Sequence, residues 1–193
     1  MSIRIVVLFG LLVLLTIGSA VWARRSVTQD SAKTSTPVIN KEAAMIAGYR
    51  HWTRVNPEPV QMDQQVASLC GLPYSNTSDP HRAKFITVYV NDLGRRAMTA
   101  ELNPRFPVGT VIVKEKLPNK EATAPELLTV MLKRERGYDS KNGDWEYLMF
   151  DGPGRVVQGP VKTESCQSCH MAYKQQDYVT RLYLPRETRK SLK

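Results

Sequence analysis

The sequence predicts an α+β domain, mostly antiparallel β-sheet with flanking helices. Three observations carry that prediction. The middle of the chain holds four stretches rich in β-branched and aromatic residues. Apolar residues at helical spacing occur at both ends, and no regular β-α alternation links the strands. With 193 residues, the chain can bury one proper core and is too short for two large domains.

The elements follow in order. Met1 to Arg4 precede an apolar run from Ile5 to Ala23, closed by Arg24 and Arg25. Its length lies between the core of a signal peptide and a membrane span, so residues 1–23 are expected to be one or the other. Either reading takes the chain out of the cytoplasm: it is expected to be periplasmic or otherwise extracytoplasmic, with residues 5–23 as its anchor if they are retained. Residues 24–40, rich in Ser, Thr and small side chains, read as a flexible tether to a folded domain over 41–193.

Asn40 is placed to cap a helix from about Lys41 to Val55, with Met45, Tyr49, Trp52 and Val55 along one face. A second short helix is expected from Gln61 to Leu69, stopped by Gly71. Lys84 to Asn91 alternates and predicts the first strand; Asp92 to Leu102 predicts a short helix. Further strands are predicted over Gly109–Leu117, Leu127–Arg134 and Trp145–Asp151, with one more starting at Val156-Val157 after the Gly152-Pro153-Gly154 turn. A final helix is expected from Ser165 to Lys174.

Hydrophobic content of 42% and charged content of 23% are those of an ordinary globular protein, with a net charge of +9. A basic balance raises nucleic acid as a partner, but the basic residues are scattered. Their one local cluster is the tail Arg186, Arg189, Lys190 and Lys193, and no recognition motif accompanies it, so no nucleic-acid partner is expected. Three cysteines do not make a disulfide scaffold. Cys70 stands alone and reads as a small buried filler.

The other two cysteines carry the chemistry. Glu164-Ser165-Cys166-Gln167-Ser168-Cys169-His170 fits the C-x-x-C-H pattern of covalent haem c attachment. Two thiols add across the two vinyl groups on one porphyrin edge, and two intervening residues let one helical turn present both sulfurs there. The next residue, His170, then reaches the iron as axial ligand, and its other ring nitrogen needs an acceptor. One covalent haem c is therefore expected. A zinc half-site completed by Cys70 with His51 or His81 competes with this reading, as does a thioredoxin-like redox pair. The first lacks a second paired motif and the second lacks a β-α context. Candidate sixth ligands are Met45, Met62, Met131, Met149, His51 and His81; packing is the default for the methionines and exposure for His51, while the polar loop of His81 could place it anywhere, and the absence of an obvious ligand leans towards five-coordinate iron.

The stretch from about Tyr49 to Pro185 resembles the cytochrome P-460 family, including the beta-type cytochromes c′. The resemblance rests on Tyr49-Arg50-His51-Trp52, Thr87 to Asn91, Phe106 to Glu115, Gly143 to Tyr147, and Cys166 to His170 followed by Asp177. It implies a mostly β domain, often a homodimer, with pentacoordinate haem c. It further implies that Lys114 lies near the haem, where founding members bond a lysine to the porphyrin rim, and that Phe106 belongs to a distal aromatic cap. Lys114 is also compatible with a plain surface lysine. Glu115 and Glu164 are candidate proton acceptors, though both read more readily as exposed.

Two functions fit. One is an oxidoreductase that oxidises hydroxylamine and passes the electrons to a small redox carrier or a membrane redox chain. The other is a non-enzymatic electron-transfer or nitric-oxide-binding cytochrome.

Overall fold

The computed structural model describes residues 41, 43–63, 84–152, 156–161 and 164–192, with only the backbone of 156–161. The apolar run, the tether, Cys70 and His81 lie outside the described residues. So does most of the expected 61–69 helix.

The architecture is α+β, with an antiparallel sheet and a few short helices. Seven strands make one sheet: β1 (Thr53–Arg54), β2 (Val60–Gln61), β3 (Phe85–Val90), β4 (Val111–Leu117), β5 (Leu127–Lys133), β6 (Trp145–Asp151) and β7 (Val156–Val161). Their order is β1-β3-β4-β5-β6-β7, with β2 sharing the β3 edge. Buried Asn56 bridges the gap between β1 and β2: its Oδ1 accepts from the Val88 N–H at 2.9 Å, and its Nδ2 donates to the Ile86 carbonyl at 2.8 Å. The side chain thus completes the ladder where the edge strand is interrupted. Helices are α1 (Asp92–Thr99), capped by Asn91, then α2 (Glu164–Met171) and α3 (Arg186–Ser191).

Both faces of the sheet are covered, which is why its central strands read as near-continuous apolar runs rather than clean alternation. One face packs Ile86, Val88, Val90, Ile112, Met131 and Tyr147 against Ala97 and Met98 of α1 and against Phe106, Val179 and Leu184. The other packs Val111, Val113, Leu128, Val130, Leu148 and Phe150 against Ile46, with Met45, Tyr49 and Trp52 on its margin.

The expected helix over 41–55 is a correction. Residues 43–45 are helical, but Gly48 turns the backbone left-handed (φ 76°), a 3-10 turn follows over Tyr49–His51, and Thr53–Arg54 is already strand. The start of the expected second helix is likewise strand, since Val60 and Gln61 pair with Ile86 and Phe85. In both places pairing with the β3 edge overrides helical spacing. The cysteine-bearing helix ends at Met171, short of Lys174, and a 3-10 turn over Lys174–Gln176 takes its place.

Candidate haem site

The register of the sheet sorts the residues of β4. Val88, Lys114, Thr129 and Met149 form one cross-strand row, and Val90, Ile112, Met131 and Tyr147 the next. Side chains in these rows share a face, and that face opens on a cavity of about 260 Å³. Helix α2 supplies the opposite wall through Ser165, Cys166, Cys169 and His170, with Val179, Thr180 and Tyr183 beyond it. Cys166 and Cys169 both line this cavity, and no disulfide joins them. Lys114 and the deeply buried Lys116 line it too.

His170 is held by its second nitrogen. Nδ1 lies 2.8 Å from the Tyr178 carbonyl oxygen. A carbonyl only accepts, so Nδ1 carries the hydrogen and Nε2 keeps its lone pair. The ring sits 5.3 Å from the Tyr147 ring. Burial, aided by the charge of Lys114 and opposed by the Tyr178 bond, lowers the His170 pKa from 6.5 to about 4. The imidazole is therefore neutral at pH 7, the form that binds metal.

The Tyr178 carbonyl is presented by an unusual turn. Asp177 (φ 53°) and Tyr178 (φ 64°) are consecutive non-glycine residues in the left-handed region, each strained by about 1–3 kcal/mol. Contacts hold them there. The Asp177 carboxylate, buried to 6% exposure, accepts from Lys133 Nζ at 2.7 Å and from the Phe106 N–H at 2.8 Å. Its carbonyl accepts from Trp145 Nε1 at 2.7 Å. The Tyr178 hydroxyl donates to the Lys141 carbonyl at 2.9 Å, and its ring lies so close to Gly143 (φ 67°) that a Cβ there would fall 2.4 Å from it. Gln167, between the two cysteines, donates to Asp139 at 2.9 Å and ties α2 to the same loop.

The sequence-predicted residues divide. Cys166, Cys169, His170 and Lys114 meet at one cavity. Glu115 does not: it is buried at 3% exposure on the far face of β4, where it accepts from Tyr49 Oη at 2.6 Å and Arg50 Nε at 2.7 Å. Strand alternation puts it there, and its burial corrects the expectation of exposure. Glu164 is exposed at the start of α2 and is not among the lining residues. Phe106 does not line the cavity either; it is buried edge-on against Trp145, with ring centroids 5.6 Å apart. Of the candidate sixth ligands, Met131 and Met149 line the cavity, joined by Met98, while Met45 lies against the far-face core, Met62 is buried in packing, and His51 is exposed. Sequence reasoning missed Lys133, Tyr178 and Gln167, and it saw Asp177 only as part of a resemblance. Two left-handed positions filled by Asp and Tyr leave no compositional mark.

The cavity fits a haem on its own chemistry. Its walls are mainly apolar, two thiols and a neutral imidazole face it, and the Tyr147 hydroxyl is buried without a hydrogen-bond partner. Among the described residues no three His, Cys, Asp or Glu side chains cluster as a metal site would require; Cys70, on which the zinc reading depends, lies outside them. Such a cavity, walled by a sheet on one side and a C-x-x-C-H helix on the other, belongs to a c-type haem protein. The family model of cytochrome P460 matches residues 46–181, and the chain belongs to that family. No curated protein matches the chain.

Proposed function

We propose that the protein carries one haem c, joined covalently through Cys166 and Cys169 with His170 as axial ligand. On this reading it binds a small uncharged nitrogen ligand such as nitric oxide at five-coordinate iron and exchanges electrons with a redox partner. The observation that carries the proposal is the convergence of both thiols and a single-tautomer His170 on one apolar cavity. When bound, the haem supplies a redox-active iron with a ligand site. The chain's own residues do the rest. His170 offers Nε2 because Tyr178 occupies Nδ1, the apolar rows exclude water, and Lys114 and Lys116 place positive charge along one side. Lys114 is the residue that a bond to the porphyrin rim would use.

The choice of an uncharged ligand rests on the lining. Oxidation of hydroxylamine must shed protons with its electrons, yet no Asp or Glu is among the lining residues described, and Glu115 serves Tyr49 and Arg50 instead. Hydroxylamine oxidation is the second function, with Lys114 tuning the haem. A further reading has its own observation: Met98, Met131 and Met149 on the cavity favour a His/Met-ligated electron carrier. Covalent haem c is attached outside the cytoplasm, so we place the protein there, released or anchored by residues 5–23, and with a small redox carrier or membrane redox chain as partner.

The test begins with the motif. Cys166→Ala with Cys169→Ala should abolish haem staining on a denaturing gel, and retained staining would overturn the attachment. The ferrous protein should be high-spin and take up nitric oxide at once; a low-spin spectrum that Met131→Ala or Met149→Ala converts to high-spin would replace it with the electron carrier. A red-shifted Soret band that disappears in Lys114→Ala would establish the rim bond. Turnover of hydroxylamine with an artificial acceptor would restore the enzyme.

A further inference from the structure

Beyond the residues that face the cavity, one buried ion pair sits on the residue next to the carbonyl that holds His170. We infer that Asp177, clamped by Lys133, is the positioning residue that sets the orientation and donor strength of His170. The inference rests on the proposal that His170 ligates haem iron.

Among the described residues, the group bonded to His170 Nδ1 is a main-chain carbonyl, that of Tyr178. No side-chain substitution at position 178 removes that acceptor, so its placement depends on the turn that carries it. Both residues of the turn are left-handed, a conformation Asp tolerates and Tyr resists. Asp177 is what holds the turn closed. Its two carboxylate oxygens lie 2.7 Å from Lys133 Nζ, and one also takes the Phe106 N–H. Its carbonyl takes the Trp145 indole N–H. Lys133 is in turn fixed by the Gly143 carbonyl at 2.8 Å and stands 4.9 Å over the Trp145 ring. The ion pair is largely out of water, at 12% and 8% side-chain exposure, so solvent screens it little. Strands β5 and β6, through Lys133 and Trp145, thus reach the haem-attachment segment at Asp177.

A histidine whose Nδ1–H is well bonded pushes more electron density onto its metal. Loosening the turn should therefore weaken the iron–histidine bond and make the ferric state less favoured. Asp177→Asn is the informative variant, because Asn also tolerates the left-handed region and can still accept from Phe106. In the haem-loaded protein it should lower the iron–histidine stretching frequency of the ferrous form and raise the reduction potential. Lys133→Met should move both readings the same way. Charge acting through space predicts otherwise: the uncompensated Asp177 carboxylate left by Lys133→Met would lower the potential, and neither variant would move the stretch. That pattern, or an unchanged stretch in both variants, overturns the inference.

A wild-type chain that carries no haem would defeat the proposed function while leaving the hydrogen bond measurable. Nitrogen NMR of the His170 ring should then show one tautomer, protonated at Nδ1, in the wild type and mixed tautomers in Asp177→Asn. A single tautomer in both would overturn the inference independently of haem.

Discussion

On one side of β4, Ile112, Lys114 and Lys116 face the cavity; on the other, Val111, Val113 and Glu115 face the second core. Both sides bury polar groups, and only one of them borders the cavity. Glu115 is buried and answered, taking one hydrogen bond from Tyr49 and a charged one from Arg50. Across the sheet, the Tyr147 hydroxyl is buried with no partner. The far face has an unpartnered hydroxyl of its own, Thr87 Oγ1 in register with Glu115, so what sets Tyr147 apart is the cavity beside it rather than the missing partner. Position along a strand, rather than residue type, separates structural from functional polarity here.

The largest effects should come from deleting one large aromatic on each side. Phe150, fully buried on the far face, should cost about 3–5 kcal/mol as Phe150→Ala, while the haem spectrum of the surviving folded protein stays put. Trp145→Ala should cost a similar ~3–5 kcal/mol and disturb the spectrum as well, since the indole N–H bonds the Asp177 carbonyl beside the His170 segment. Chemical denaturation with absorbance spectra would check both. Equal spectral changes from the two would erase the distinction between the faces.

An intermediate effect is expected at Glu115. Glu115→Ala leaves the Tyr49 hydroxyl and the half-exposed Arg50 guanidinium to find water, so the loss should be about 1–2 kcal/mol, read as a lowered Tm. Nitric-oxide affinity should not change. A marked change in affinity would return Glu115 to the list of groups acting at the haem.

Much of this was legible in the sequence, for physical reasons that can be named. The strand runs KFITVYVN, GTVIVKEKL and WEYLMFD declare themselves because β-branched and aromatic side chains suit a pleated surface packed on both sides. Cys166, Cys169 and His170 are legible because their chemistry fixes their spacing. The segment over 41–55 misled because its apolar residues at helical spacing give no hint that Gly48 and the β3 edge divide them. Glu115 and Lys114 were ambiguous because alternation tells which residues share a face but not which face meets the cavity. Lys133 and Asp177, 44 residues apart, become partners only through folding.

The smallest change in stability should come with a clear change in function. Tyr147→Phe removes a hydroxyl that makes no hydrogen bond, and burial already pushes its pKa well above the usual tyrosine range, so no charge is lost. Deleting an unsatisfied polar atom relieves its desolvation, so stability should stay within ~0.5 kcal/mol of wild type or rise. The change, however, falls on a cavity-lining residue whose ring centroid lies 5.3 Å from that of His170. The absorption spectrum and nitric-oxide dissociation rate of the haem-loaded protein should shift, whereas Glu115→Ala shifts Tm and leaves both alone. If Tyr147→Phe lowered Tm with no spectral change, Tyr147 would be one more packing residue and the two faces of the sheet would be alike.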